Sequence, residues 1–420
     1  MRHVRQGFRG PLEWWQRQAH LGLTIREIFM DGHCHLTAAR CLAIVGTLTL
    51  VVSTGAVSAS GVGLDAQATP LPVQGTISRD VSDAAVLSPT DAWAVGSKRL
   101  EAGPTLTWVR HWNGRGWSSF SSPSPDAGTN YLVAVDAVAS DDVWAVGSAG
   151  TNRSHALVEH WDGVSWSVVE TPSAGRVTGL SSVSTIAADD IWAVGSRYVD
   201  GHNRALIEHW DGNAWDVVHA PKPGEHVFLA ALNDVTAIAP DDVWAVGVKD
   251  YNTGGVDGIQ ALLEHWNGQR WKVVPGATIP ETVRLQAVAG VSADDVWAVG
   301  ASQGGGGFDS TVFEHWDGSA WSQVAGPSPS RSSILKDLYA SASDDVWAVG
   351  DMYDGGVKQL TEIQHWDGTS WSLVETPSRR RQRNVLNGVD GSSPTYLMAV
   401  GVAGTPLTES WDGSSWTITR

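Results

Sequence analysis

The chain has 420 residues, 42% of them hydrophobic, with 28 basic against 45 acidic side chains and a formal charge of −17. That apolar fraction supports a sizeable core and excludes wholesale disorder. The acidic balance argues against nucleic acid or an anionic membrane as the main partner, because both require a basic face.

The first element in chain order is a targeting segment. Residues 42–52 read LAIVGTLTLVV after Arg40, and small residues follow, with Val57-Ser58-Ala59 or Ala66-Gln67-Ala68 as cleavage sites. This is the order of a secretory signal. The stretch before it is long, and Met30 offers an alternative start. The apolar run is shorter than the ~20 residues of a membrane span, which favours cleavage over an uncleaved anchor. Residues 1–68 are therefore read as an N-terminal extension with a signal or anchor. The protein is expected to be secreted, or held at the cell surface if the segment stays. Both cysteines, Cys34 and Cys41, fall here. Their loss would leave no disulfide, thiol nucleophile or Cys-ligated zinc. An excess of Arg over Lys hints at a bacterial source.

Residues 69–420 are one unit repeated seven times, with copies near 80–124, 132–173, 180–222, 232–275, 285–328, 335–378 and 386–420. A WAVG tetrapeptide places Trp93, Trp144, Trp192, Trp244, Trp297 and Trp347, with Met398 in the last copy. An HWDG or HWNG motif follows, with Trp112, Trp161, Trp210, Trp266, Trp316 and Trp366, and SWDG at Trp411. A third tryptophan closes each copy: Trp117, Trp166, Trp215, Trp271, Trp321, Trp371 and Trp416. These sets hold 20 of the 23 tryptophans, so the repeat is the dominant signal.

Each copy predicts four short strands, A to D. In the third, A is LSSVSTIA (180–187) and a turn at Asp189-Asp190 leads to B, IWAVG (191–195). A variable loop precedes C, ALIEHW (205–210). Asp211-Gly212 then turns into D, starting at Trp215. Asp-Gly and Asn-Gly reach the positive φ that such turns need. Four-stranded units at a period near fifty predict an all-β, seven-bladed β-propeller of antiparallel blades. Every copy runs A to D in register, so ring closure is expected without a shared strand unless residues 70–79 add one.

The unit resembles the kelch repeat, as in the central domain of galactose oxidase. VWAVGS matches the strand that ends in a glycine pair, its second glycine usually Ser or Ala here. ALIEHWDGNAWDVV matches the pattern of aromatic, turn and tryptophan. The resemblance implies the fold, while kelch propellers include oxidases, lectin-like modules and protein-binding hubs. Galactose oxidase chemistry needs a Cys–Tyr crosslink and histidine copper ligands. The segment past residue 68 has no Cys, and its non-repeated histidines (His155, His202, His219, His226) are scattered. The period is too long for WD40 repeats, and the WDGxxW turn is one residue short of the sialidase Asp-box.

The repeated residues read as scaffold. Each Trp can bury ~150–250 Å², so packing outweighs carbohydrate stacking. His111, His160, His209, His265, His315 and His365 read as structural hydrogen bonds between blades, since equivalent positions in a ring are too far apart for one ion. The acidic pairs, such as Asp141-Asp142 and Asp189-Asp190, read as turn caps. Calcium there is second best, without the DxDxDG loop. No metal or cofactor is expected.

Specificity is expected in the loops that differ between copies, which are the B–C and D–A loops of one face. Arg176, Arg284, Arg331 and Arg383 each precede an A strand by one to four residues. They are expected around the channel mouth, where guanidinium groups would take a carboxylate, sulfate or phosphate. Tyr198, Tyr251 and Tyr353, with Tyr131 and Phe308, could stack on sugars or touch a peptide. The run Arg379, Arg380, Arg381 and Arg383 is local and reads alternatively as a protease-sensitive loop. The expectation is a non-catalytic, monomeric module binding an extracellular glycan or protein. The alternative is a hydrolase or lyase acting on acidic polysaccharide through the variable face.

Overall fold

The computed structural model describes residues 75–419, apart from residues 102, 253–256, 280–281, 304–308, 330–331, 354–357 and 378–382. The signal segment, both cysteines, Phe308, Arg331 and the run Arg379, Arg380 and Arg381 lie outside the described residues.

Among these residues there are 28 strands and no helix. They form consecutive antiparallel meanders in which A pairs with B, B with C and C with D. In the third meander the strands are Val177–Ala187, Asp190–Val199, His202–Trp210 and Trp215–Val218. A single parallel bridge, Asn203 to Leu229, joins it to the fourth. The variable loop expected at 196–203 is instead a continuation of strands B and C. Tyr198 sits opposite Asn203, and the chain reverses at Asp200 (φ 50°) and Gly201 (φ 80°). Two successive positive φ values give the turn whose twist suits a hairpin.

Strand B is a continuous apolar run because both of its faces are covered. In the third meander Ile191, Ala193 and Leu206 pack with Trp144 of the second. Trp192 and Val194, on the opposite face, pack with Val243 and Trp271 of the fourth. Period-two alternation thus sends successive side chains into two different interfaces. The glycine ending each WAVG motif has a common cause in backbone approach. A Cβ on Gly195 would lie 2.1 Å from the Gly179 carbonyl oxygen, and one on Gly96 would lie 1.9 Å from that of Asp80. Strand A carries a register shift beside this glycine, and the bulge pushes its carbonyl across the B strand.

Next to those bulges, A-strand aspartates link one meander to the next. Asp83 Oδ2 accepts the Val135 N–H (3.0 Å), Asp136 Oδ2 that of Thr185 (2.7 Å) and Asp337 Oδ2 that of Val389 (2.8 Å). The belt continues across the ends of the chain. Asp390 Oδ2 accepts the Val86 N–H at 2.6 Å, and Asn387 Nδ2 donates to the Val81 carbonyl at 2.9 Å. The first sheet takes all its strands from Thr76 to Phe120 and the last from Val385 to Ile418. The circuit therefore closes by packing and hydrogen bonds, with no exchanged strand among the described residues.

Candidate functional site

The repeated Trp, His and Asp residues form one scaffold unit. The Trp144 and His160 rings stack at 4.2 Å. His160 Nε2 is 2.8 Å from Asp142 Oδ1, which also accepts the Trp144 Nε1–H at 2.8 Å. His111, His209, His265, His315 and His365 each meet the aspartate that opens strand B in the same way. Two expectations are corrected. The histidine bond lies within a meander, not between blades, because the WAVG tryptophan itself spans the interface. Trp144, for example, reaches Trp210 at 5.0 Å. The second aspartate of each pair serves the histidine instead of capping its turn. Backbone capping falls to the C–D aspartate: Asp211 Oδ1 accepts the Asn213 and Ala214 N–H groups, both at 2.9 Å. Among the described residues no three His, Cys, Asp or Glu side chains come together to hold a metal.

The expected arginine cluster is only partly brought together. Arg176 is exposed just before strand A of the third meander, its N–H on the Tyr198 carbonyl (3.1 Å). Arg284 lies inside its A strand, Thr282–Ser292, instead of ahead of it. It points to acceptors of its own meander, Asp309 Oδ1 at 3.4 Å and Gln303 Oε1 at 3.5 Å. Arg383 Nε donates to Gln359 Oε1 at 2.5 Å. Two of the four guanidinium groups are thus engaged by the protein itself. Tyr251 donates its hydroxyl to the Pro223 carbonyl at 3.1 Å and packs on the core. Tyr198 and Tyr353 are half-buried strand residues.

A row of buried glutamates precedes the C-strand histidines: Glu159, Glu208, Glu264 and Glu314, with Glu409 in the last copy. The segment that follows strand D of one meander crosses over the glutamate of the next. Ser122 Oγ donates to Glu159 Oε2 at 2.6 Å, and the Ala277 N–H donates to Glu314 Oε2 at 2.9 Å. In the sixth copy Gln364 takes this place and donates to the Pro327 carbonyl at 3.2 Å. Burial pushes the Glu159 carboxyl up to about 8 and that of Glu314 to about 7. Glu208 rises to about 7 and Glu264 to about 8 through burial, opposed in part by Arg197 and Lys249 respectively. Those two cations each stand two residues past the WAVG glycine.

The first meander breaks this pattern. Lys98 occupies the same place two residues past Gly96, but Arg110 replaces the glutamate and Trp108 replaces the leucine or valine of most copies. Arg79 is the cross-strand partner of Lys98. Together these residues line a cavity of about 1220 Å³ at the seam, with Pro406, Thr408, Ile418 and Thr419 on its far wall. The Arg110 guanidinium lies 5.2 Å from the ring centres of both Trp108 and Trp117, a cation–π clamp. Burial, and then the charge of Arg79, pull the Arg110 pKa down. The last copy is degenerate on the facing side, with Met398 for tryptophan and Ser410 for histidine. Sequence reasoning passed over this site, although Trp108 is the one tryptophan of the described residues outside the three repeated sets.

No family model matches the chain, and no curated protein matches it. Solved structures do. YCF48 bound to a D1 peptide has a TM-score of 0.50 at 15% identity, covering 80% of this chain and 95% of that one. A polysaccharide lyase, an ulvan lyase bound to -[GlcA(1-4)Rha3S]-, has a TM-score of 0.51 at 9% identity, covering 82% and 97%. A fucose-specific lectin from Aleuria aurantia has a TM-score of 0.42 at 14% identity, covering 71% and 94%. At these identities the likeness to the first two shows the fold alone, and it agrees with the closed circuit of four-stranded sheets: the chain is a β-propeller.

Proposed function

We propose that this is a seven-bladed, kelch-like propeller, secreted or held at the cell surface, which binds an extracellular glycan or protein as a monomer and without catalysis. The observation that carries the reading is the seam cavity. It is a concave space, larger than the roughly 300–1,000 Å³ of common small-molecule pockets, placed where the repeat abandons its own internal pairing. Elsewhere the repeated polar groups serve the scaffold. A feature that departs from the repeat in one copy, and gains cations in an acidic protein, has no scaffold role that the other copies share. Residues 69–420 form the binding domain in this reading, and Arg176 and the tyrosines Tyr198, Tyr251 and Tyr353 at the variable end are secondary contacts.

The test is a thermal-shift panel on the full-length chain, with neutral and acidic oligosaccharides and with acidic peptides. A ligand at a hundred times its dissociation constant adds about 2.7 kcal/mol of stability. A shift with one class supports the reading. A flat panel across all of them counts against it.

A further inference from the structure

We propose that the cavity between the first and last repeats binds an acidic oligosaccharide, with a sugar carboxylate on Arg110, Arg79 and Lys98 and ring hydroxyls on the threonines of the wall. The inference rests on the binding reading above and names the ligand class of the same site.

The first argument is a charge reversal visible by comparing the repeats. In the third and fourth copies the B-strand cation has a carboxylate close by, Arg197 with Glu208 and Lys249 with Glu264. In the first copy the corresponding cation, Lys98, lines the same cavity as Arg110 instead. A third cation, Arg79, stands directly across the strand pair from Lys98. Like charges placed opposite each other on a sheet are destabilising. Among the described residues no carboxylate lines the cavity, in a chain whose net charge is −17. The positive charge gathered here is matched by an anion from outside.

The second argument is preorganisation. Trp108 is buried, and its Nε1–H donates to Ser119 Oγ at 3.1 Å. Its ring and that of Trp117 hold the Arg110 side chain between them, and the Arg110 Nε is buried without a hydrogen-bond partner. A guanidinium held by aromatic faces loses little freedom when it takes a carboxylate in bidentate fashion.

The third argument selects a sugar acid. Thr76, Ser119, Thr408 and Thr419 put hydroxyl groups around the same cavity. A uronate unit presents a carboxylate and a run of hydroxyls on one rigid ring, and the volume admits more than one unit. An acidic peptide offers the carboxylate without the hydroxyls.

The experiment is calorimetric titration of the full-length chain with tetragalacturonate, with its methyl ester and with tetraglutamate, repeated on Arg110→Glu. That substitution installs the residue that five other copies carry at this position, so the melting temperature of the unliganded variant is expected to hold or rise. Tetragalacturonate is expected to bind, its ester to bind at least tenfold more weakly, and Arg110→Glu to lose at least tenfold in affinity. Arg270→Ala, at the exposed C–D turn of the fourth repeat, is expected to leave binding unchanged. Equal binding of the ester, equal affinity in Arg110→Glu, or binding of tetraglutamate alone would overturn the inference. Binding of a neutral glycan or a peptide with no dependence on Arg110 removes this inference and leaves the binding reading standing. Silence from every ligand class removes both.

Discussion

Val86 and Asp390 stand 304 positions apart, yet the Val86 N–H donates to Asp390 Oδ2 at 2.6 Å. The bond ties the inner strand of the last repeat to that of the first, as Asp136 and Asp337 do for other neighbours. Asp390 is half-buried, and desolvation of its carboxyl lifts it to about 8. An Asp390→Ala change leaves the Val86 N–H without this acceptor, at a cost of about 1–3 kcal/mol. Asp390→Asn keeps an acceptor and is expected to cost less. Scanning calorimetry checks the order. An alanine variant that melts with the wild type would show that the circuit does not depend on this link.

The glutamate row, together with Glu362, which is buried in the sixth copy and accepts from Gln364 Nε2 at 2.6 Å, makes stability depend on pH with a defined sign. The carboxyls of Glu159, Glu264 and Glu362 titrate near 8 in the fold, and those of Glu208 and Glu314 near 7, chiefly through burial, against an ordinary value of 4.5. Between those limits the unfolded chain has released protons that the folded chain retains. Stability from these groups is therefore fully present below about pH 4.5, falls as pH rises, and levels off above about 8. The melting temperature is expected to be lower at pH 8.5 than at pH 5.5. Glu208→Gln is expected to reduce that difference and to raise the melting temperature at pH 8.5. A melting temperature that climbs over this interval would contradict the assignment.

Trp144 tests whether the repeated tryptophans are packing residues. It is 2% exposed, stacks on His160, and meets Trp210 and Trp215 of the next repeat. Trp144→Ala is expected to cost about 3–5 kcal/mol, as other buried tryptophan truncations do. The exposed Val164, at 83%, is expected to tolerate alanine within about 0.5 kcal/mol. Denaturant melts of both variants separate the two, and a mild Trp144→Ala phenotype would refute the packing role.

Two turn glycines separate backbone strain from steric overlap. Gly212 has φ 90°, and an added Cβ would lie 2.8 Å from the Asp189 Cβ; Gly201 has φ 80° with nothing within 4 Å. Left-handed backbone costs an L-residue about 1–2 kcal/mol. Gly201→Ala is expected to lose about that much and Gly212→Ala more. Urea melts that rank them the other way would show that the A–B turn yields to the extra methyl group.

Much of the architecture was legible because the repeat aligns seven copies of the same solution. Strands B, C and D could be placed from the WAVG, HWDG and final tryptophan positions, since alternation and the Asp-Gly turn are local rules. Strand A was legible in outline, but not the work of its aspartates. Asp83 sits at a bulge, Asp136 and Asp390 lie on the regularly paired stretch just past one, all three accept from the next repeat, and nothing local in the sequence distinguishes them from other strand aspartates. The arginines were singled out by their distance from a strand start. That spacing does not say which acceptors stand nearby, and the protein supplies Asp309 to Arg284 and Gln359 to Arg383.

By itself the sequence determined an all-β chain of repeated four-stranded units, because hydrophobic alternation, turn chemistry and the tryptophan period are properties of a few neighbouring residues. It also held the signal at the seam, in Trp108 outside the repeated sets and Arg110 in the glutamate position. What only the tertiary structure decided is what those two residues face. Closure sets the first repeat against the last, and the degenerate Met398 and Ser410 lie on the far side of that join. Cations from strands A, B and C then share one face because strand register puts them there. Charge meets charge across distances in sequence that no local pattern reports.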